Sequence, residues 1–162
     1  MIDGIRIVEL PKCKMVSSGF ADEGDPFVDG GRLDTFGKWW TELDKQRPDK
    51  FSPRDFMWFD RETKRLVWWY AMPNGLADTG GFETVDYEGG LYAARVSIDG
   101  DDADGEAVYA GIQEWVRQST GFELDEREGH YDMFHVITPQ YAKEALGYNQ
   151  LEIYVPIKVK AS

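Results

Sequence analysis

The feature that most constrains this chain is that one order of strand, turn and helix signals runs through it twice. Residues 5–10 read as a short strand, Pro11-Lys12 marks a turn, and residues 13–17 return as a second strand. A loop rich in glycine and acids follows. Leu33, Phe36, Trp40 and Leu43 then recur at helical spacing, with Asp29 available as a cap and Pro48 and Pro53 bounding the helix end. Residues 56–59 and 66–72 form a hairpin around Asp60-Arg61-Glu62-Thr63. The order then recurs: a strand over 82–87, the turn Glu88-Gly89-Gly90, a strand over 91–98, and a helix opened by Asp99-Gly100-Asp101-Asp102. Val108, Ile112, Trp115 and Val116 mark its apolar face, and strands over 131–137 and 151–159 close the chain.

The two stretches align at an offset of about 75 to 77 residues: Val8-Glu9-Leu10 with Val85-Asp86-Tyr87, Trp40 with Trp115, and 55–59 with 131–135. The expected fold class is therefore α+β, built from two strand–strand–helix–strand–strand units with pseudo-two-fold symmetry. The first repeat covers 1–75 and the second 80–160, and a cleft is expected at their seam. The longer loop 138–150 distinguishes the second copy.

Aromatic residues make up 14% of the 162, with six Trp, eight Tyr and nine Phe, which is more ring surface than a core of this size needs. Trp39 and Trp40 are adjacent on a helix, so they project about 100° apart. Trp68 and Trp69 are adjacent on a strand, where neighbours point to opposite faces. One of each pair can be core; the other looks elsewhere. With Trp58, Tyr70, Tyr92, Trp115, Phe134 and Tyr154 they are candidates to line the cleft, where π faces hold planar or cationic molecules. Plain packing is the alternative for any single ring.

Glu152 is the candidate acid. In Leu151-Glu152-Ile153-Tyr154-Val155, alternation sets Glu152 and Tyr154 on one face and the aliphatic residues on the other. Either Glu152 is an exposed strand carboxylate, or it lies on the cleft floor, where an ionised carboxylate is costly without a partner and a cationic ligand supplies one. In an enzymatic reading, burial raises its pKa toward neutrality and suits it to base chemistry.

Other chemistries lose support. The formal net charge of −12 repels phosphates, so no direct nucleic-acid binding is expected, although an acidic face can dock on a basic protein partner. Cys13 is the sole cysteine, which excludes an internal disulfide and a Cys-based zinc cluster. His130 and His135 lack a third ligand at metal spacing, so no metal is expected, and no nucleotide or dehydrogenase motif implies a cofactor. There is no basic, apolar leader and no run of about 18 apolar residues, which makes the cytoplasm the expected compartment and a membrane partner unexpected.

Three segments carry a resemblance: Phe82-Glu-Thr-Val-Asp-Tyr-Glu-Gly-Gly-Leu-Tyr-Ala-Ala, then Ala107-Val-Tyr-Ala-Gly-Ile-Gln-Glu-Trp-Val, then Leu151-Glu-Ile-Tyr-Val-Pro-Ile. Together they resemble the second half of GyrI-like domains, which also serve as effector-binding domains of AraC-type and MerR-type multidrug regulators. The first half matches more loosely, through Phe36-Gly-Lys-Trp-Trp. The resemblance implies a twofold-repeated fold with a central ligand cleft, and a buried glutamate among rings that recognises lipophilic cations. Glu152 matches that position and Tyr154 accompanies it. It also implies two alternatives: hydrolysis of cyclopropane-bearing electrophiles, with Glu152 and Tyr154 as the catalytic pair, or inhibition of DNA gyrase by contact. A helix-turn-helix module would need roughly 60 further residues, so a stand-alone domain is expected. The function expected is binding of small lipophilic, cationic or electrophilic organic molecules.

Overall fold

The structure, a computed structural model, describes residues 4–161, and its elements follow the expected order with two additions. The strands and helices are β1 (Arg6–Leu10), β2 (Cys13–Phe20), α1 (Arg32–Asp44), β3 (Asp55–Asp60), β4 (Arg65–Ala71), β5 (Glu83–Tyr87), β6 (Gly90–Ile98), α2 (Asp102–Gln118), β7 (Phe122–Leu124), β8 (Met133–Val136), α3 (Gln140–Leu146) and β9 (Gln150–Val159). Helices lie between antiparallel strands, so the fold class is α+β. No described helix is long and apolar enough to cross a membrane.

The chain forms two compact units that are not contiguous in sequence. One is Lys12–Glu88; the other joins the residues through Pro11 to those from Gly89 on. Strand pairing is the cause: β1 bonds to β6, and β5 bonds to β2.

In the unit that contains β1, the strands run β1-β6-β9-β8, with β7 also on β9. α2 covers one face. Ala93, Ile153, Val155 and Ile157 from the strands, with Ile5 just before β1, meet Val108, Ile112 and Val116 of the helix, all buried. Burying each such aliphatic side chain contributes about 1.5–3 kcal/mol. Asp101 caps α2 by accepting from the Asp104 N–H at 3.0 Å, worth about 1 kcal/mol. Pro156 sits in β9 where β8 pairing has ended at Tyr154 and β7 pairing begins at Ile157, so its missing N–H interrupts neither ladder.

In Lys12–Glu88 the order is β3-β4-β2-β5, and α1 packs Phe36 and Leu43 onto Val16 and Tyr70. Asp29 does not cap this helix. It lies 3.7 Å from Lys38 Nζ, while the Asp22 carboxylate, ten residues before α1, accepts the Arg32 N–H at 2.7 Å. Gly31 at the cap admits that approach, because a Cβ there would lie 2.7 Å from Asp22 Oδ2 and 2.6 Å from Val28 Cγ1. Gly37 in mid-helix has a similar reason: a Cβ would come within 2.8 Å of the Trp68 ring.

The additions are β7 and α3, a seven-residue helix with no buried residue inside the expected loop 138–150.

Candidate functional site

Register brings four polar side chains together on the face of the β1-containing unit that α2 does not cover. Arg6 lies opposite Ala94, Ala94 opposite Tyr154, and His135 opposite Glu152. Two residues apart on β9, Glu152 and Tyr154 therefore point the same way, as alternation in the sequence predicts. Tyr92 is on this face too, its ring edge-on to Tyr154 with centroids 5.8 Å apart.

The hydrogen bonds are closely specified. Arg6 donates Nε to Glu152 Oε2 at 2.8 Å and Nη2 to Oε1 at 2.6 Å, a forked pair. Tyr154 Oη donates to Oε1 at 2.6 Å, and His135 Nε2 is 3.1 Å from Tyr154 Oη. A phenol has one hydrogen. With that hydrogen on Glu152, the Tyr154 oxygen accepts, and His135 Nε2 carries the proton toward it.

Glu152 is 3% exposed, so the alternative of an exposed strand carboxylate does not hold. Its protonation differs from what the enzymatic alternative expects. Burial alone pushes the carboxyl up, but hydrogen bonds from Arg6, His135 and Tyr154, with the Arg6 charge, outweigh it and hold the group well below the usual carboxylate range. The neutral-range base of the enzymatic alternative is instead held as an anion. Burial, then the bond to Glu152, pushes the Tyr154 phenol up. Arg6 is not among the candidates the sequence suggests, and His135 enters there only as a metal candidate without a third ligand. The available signal is alternation: Arg6 falls between Ile5 and Ile7, and His135 two residues from buried Met133.

The remaining candidate residues take three positions. Trp39, Trp40, Trp68 and Tyr70 gather around Phe36 beneath α1, with Trp40 stacked on Tyr70 at 5.5 Å. Trp58 and Trp69 are buried on the opposite face of that sheet, edge to face at 5.4 Å. Trp115 and Phe134 pack against the aliphatic core under α2, on the other face from Glu152. Trp68 also edges an open groove of about 440 Å³ along α1, with Phe27, Leu33 and Gly37. None of the groove residues belongs to the Glu152 cluster.

No family model and no curated protein matches this sequence. Solved structures do match. The C-terminal domain of EcmrR aligns with 98% of this chain and 99% of its own at 14% identity and a TM-score of 0.65. SAV2435 bound to tetraphenylphosphonium aligns over 95% and 93% at 9% identity, TM-score 0.59. A hydrolase from Listeria innocua aligns over 95% and 91% at 12% identity, TM-score 0.57. At these identities the likeness is one of fold, and it spans nearly the whole of each chain. The chain has the GyrI-like fold that its sequence motifs resemble.

Proposed function

We propose that this chain binds small lipophilic organic molecules, cationic or electrophilic, on the sheet face that carries Glu152. The buried Tyr92 and Tyr154 rings flank the carboxylate, and Glu152 balances positive charge. One observation carries the reading: a carboxylate held ionised is kept 3% exposed on a face it shares with Arg6, His135, Tyr154, Tyr92 and Ala94. A buried charge is costly to maintain for stability alone, and apolar residues of the same volume would serve a core as well or better. The phosphonium seen with SAV2435, a protein of the same fold, supports a cationic ligand. Trp39, Trp40, Trp58, Trp69, Tyr70, Trp115 and Phe134 serve chiefly as packing in this reading.

The test is titration with tetraphenylphosphonium, read by intrinsic Trp fluorescence and by calorimetry. Glu152→Gln is expected to weaken binding at least about ten-fold, or 1.4 kcal/mol. Equal affinity in the variant would remove Glu152 from the site.

A hydrolytic role for Glu152 and Tyr154 is the second reading, favoured by the His135–Tyr154–Glu152 chain of hydrogen bonds. It is the weaker one, because a carboxylate held ionised by Arg6 is a poor proton acceptor. Mass spectrometry after incubation with a cyclopropane-bearing electrophile separates turnover from binding.

A further inference from the structure

The Glu152 carboxylate already holds a cation, and that cation belongs to the chain. Arg6 reaches it from β1, at the edge of the sheet, across β6. The strand between presents Ala94 at this point, whose methyl side chain leaves the path open. The two ends of the pair are unequal: the Arg6 side chain is 60% exposed and that of Glu152 4%. Arg6 can therefore return to water at little loss of solvation, whereas Glu152 cannot be left without a positive partner.

We propose that Arg6 occupies the ligand's own seat, and that the preferred ligands are aromatic amidinium or guanidinium cations, which enter by one-for-one exchange with its guanidinium. This rests on the reading of Glu152 as the ligand's charge partner and narrows the ligand class within it. The seat is shaped for a fork. Two parallel N–H groups meet the two carboxylate oxygens, Nε on Oε2 and Nη2 on Oε1. A planar amidinium replaces both bonds in kind, while a quaternary ammonium offers charge without donors. The Tyr92 and Tyr154 rings beside the carboxylate are 0% and 3% exposed, so the ligand's apolar body meets them only where the departing Arg6 side chain, now 3.4 Å from Tyr154 Oη, uncovers them. Around the carboxylate, the other groups that titrate or donate are Tyr154 on β9 and His135 on β8; the β6 residues that face it, Ala94 and Val96, carry no charge. Arg6 is thus the one fixed positive charge at the seat among the described residues.

The experiment compares benzamidine with phenyltrimethylammonium, cations of like size and charge, by calorimetry on the full chain. Proteins are the wild type, Arg6→Gln, Arg6→Lys and Glu152→Gln, each checked for folding by near-ultraviolet circular dichroism. Removal of Arg6 is expected to tighten benzamidine binding about ten-fold, the change that follows if the seat is free about one-tenth of the time. Arg6→Lys, which keeps the charge and loses the fork, is expected to fall between wild type and Arg6→Gln. Benzamidine should bind more tightly than phenyltrimethylammonium throughout. Unchanged or weaker benzamidine binding in both folded Arg6 variants, or equal affinity for the two cations, overturns the proposal. If phenyltrimethylammonium binds in a Glu152-dependent way that ignores Arg6, the exchange fails while the cation site stands. If neither probe binds any variant, both readings fall.

Discussion

Tyr154 donates its hydroxyl proton to Glu152 across 2.6 Å, and the two side chains stand two residues apart on one strand. The bond is charge-assisted and buried, so removing it costs more than removing a neutral one. Tyr154→Phe keeps the ring against Tyr92 and deletes only the donor. It is expected to lower the unfolding free energy by about 1.5–3 kcal/mol, measured by urea titration with an unchanged m-value. A loss under a few tenths would mean that Arg6 alone satisfies the carboxylate.

Acid should find the same group. The Glu152 carboxyl is depressed in the folded chain from an ordinary value of 4.5. Below that pH the unfolded chain binds the proton first, so the stabilisation is present above about pH 4.5 and is lost progressively as pH falls. Asp34, Asp104 and Asp125 are depressed too, by Lys38, Ser97 and Arg127 respectively, and they destabilise in acid alike. Comparing wild type with Glu152→Gln cancels them. The gap between the two, about 2 kcal/mol near pH 7, is expected to hold down to about pH 5 and then close. A gap independent of pH would show that Glu152 is not ionised in the folded protein.

How much of this was legible in the sequence depends on how local each cause is. Alternation within 151–157 places Glu152 and Tyr154 on one face, and helical spacing finds Leu33, Phe36 and Leu43 as the buried side of α1. Arg6 is 146 residues from its partner, and the pairing depends on the register of β1 with β6, which no local pattern encodes. The α1 cap fails in the same way. Asp29 has the right residue type three residues before the helix, but the carboxylate that reaches the Arg32 N–H comes from Asp22. The α3 helix gives no signal because it buries nothing and so needs no apolar period. Aromatic excess suggests pocket lining, yet adjacent pairs such as Trp39 and Trp40 can both pack beneath one helix when rings from the sheet rise between them, as Trp68 and Tyr70 do.

That ring cluster fixes Gly37. Helix propensity favours alanine over glycine by up to about 1 kcal/mol at an interior position. Here a methyl would lie 2.8 Å from Trp68 Cζ3, and the ring cannot swing aside freely. It is edge-on to Trp40 at 5.5 Å and its Nε1 donates to Asp55 Oδ2 at 3.1 Å. Gly37→Ala is expected to destabilise by about 1–3 kcal/mol despite its better propensity, read by thermal and urea unfolding. A gain in stability would show that the ring shifts easily, and with it the wall of the groove along α1.

Alkali offers separate reporters for the two compact units, since Tyr70 lies in one and Tyr154 in the other. Burial pushes both phenols up, and each is raised further by the carboxylate it donates to, Asp44 at 2.7 Å and Glu152 at 2.6 Å. The sign follows from proton counting. Above the ordinary value of 10.0 the unfolded chain releases these protons while the folded chain keeps them, so stability falls as pH rises past that point. Absorbance at about 295 nm, where tyrosinate absorbs, should show Tyr70 and Tyr154 within a fraction that titrates only with unfolding. Tyr70→Phe and Tyr154→Phe are each expected to remove one from that late fraction. If Tyr154→Phe leaves the late fraction unchanged, its phenol ionises freely in the folded chain, which a proton held between Tyr154 and the Glu152 anion does not permit.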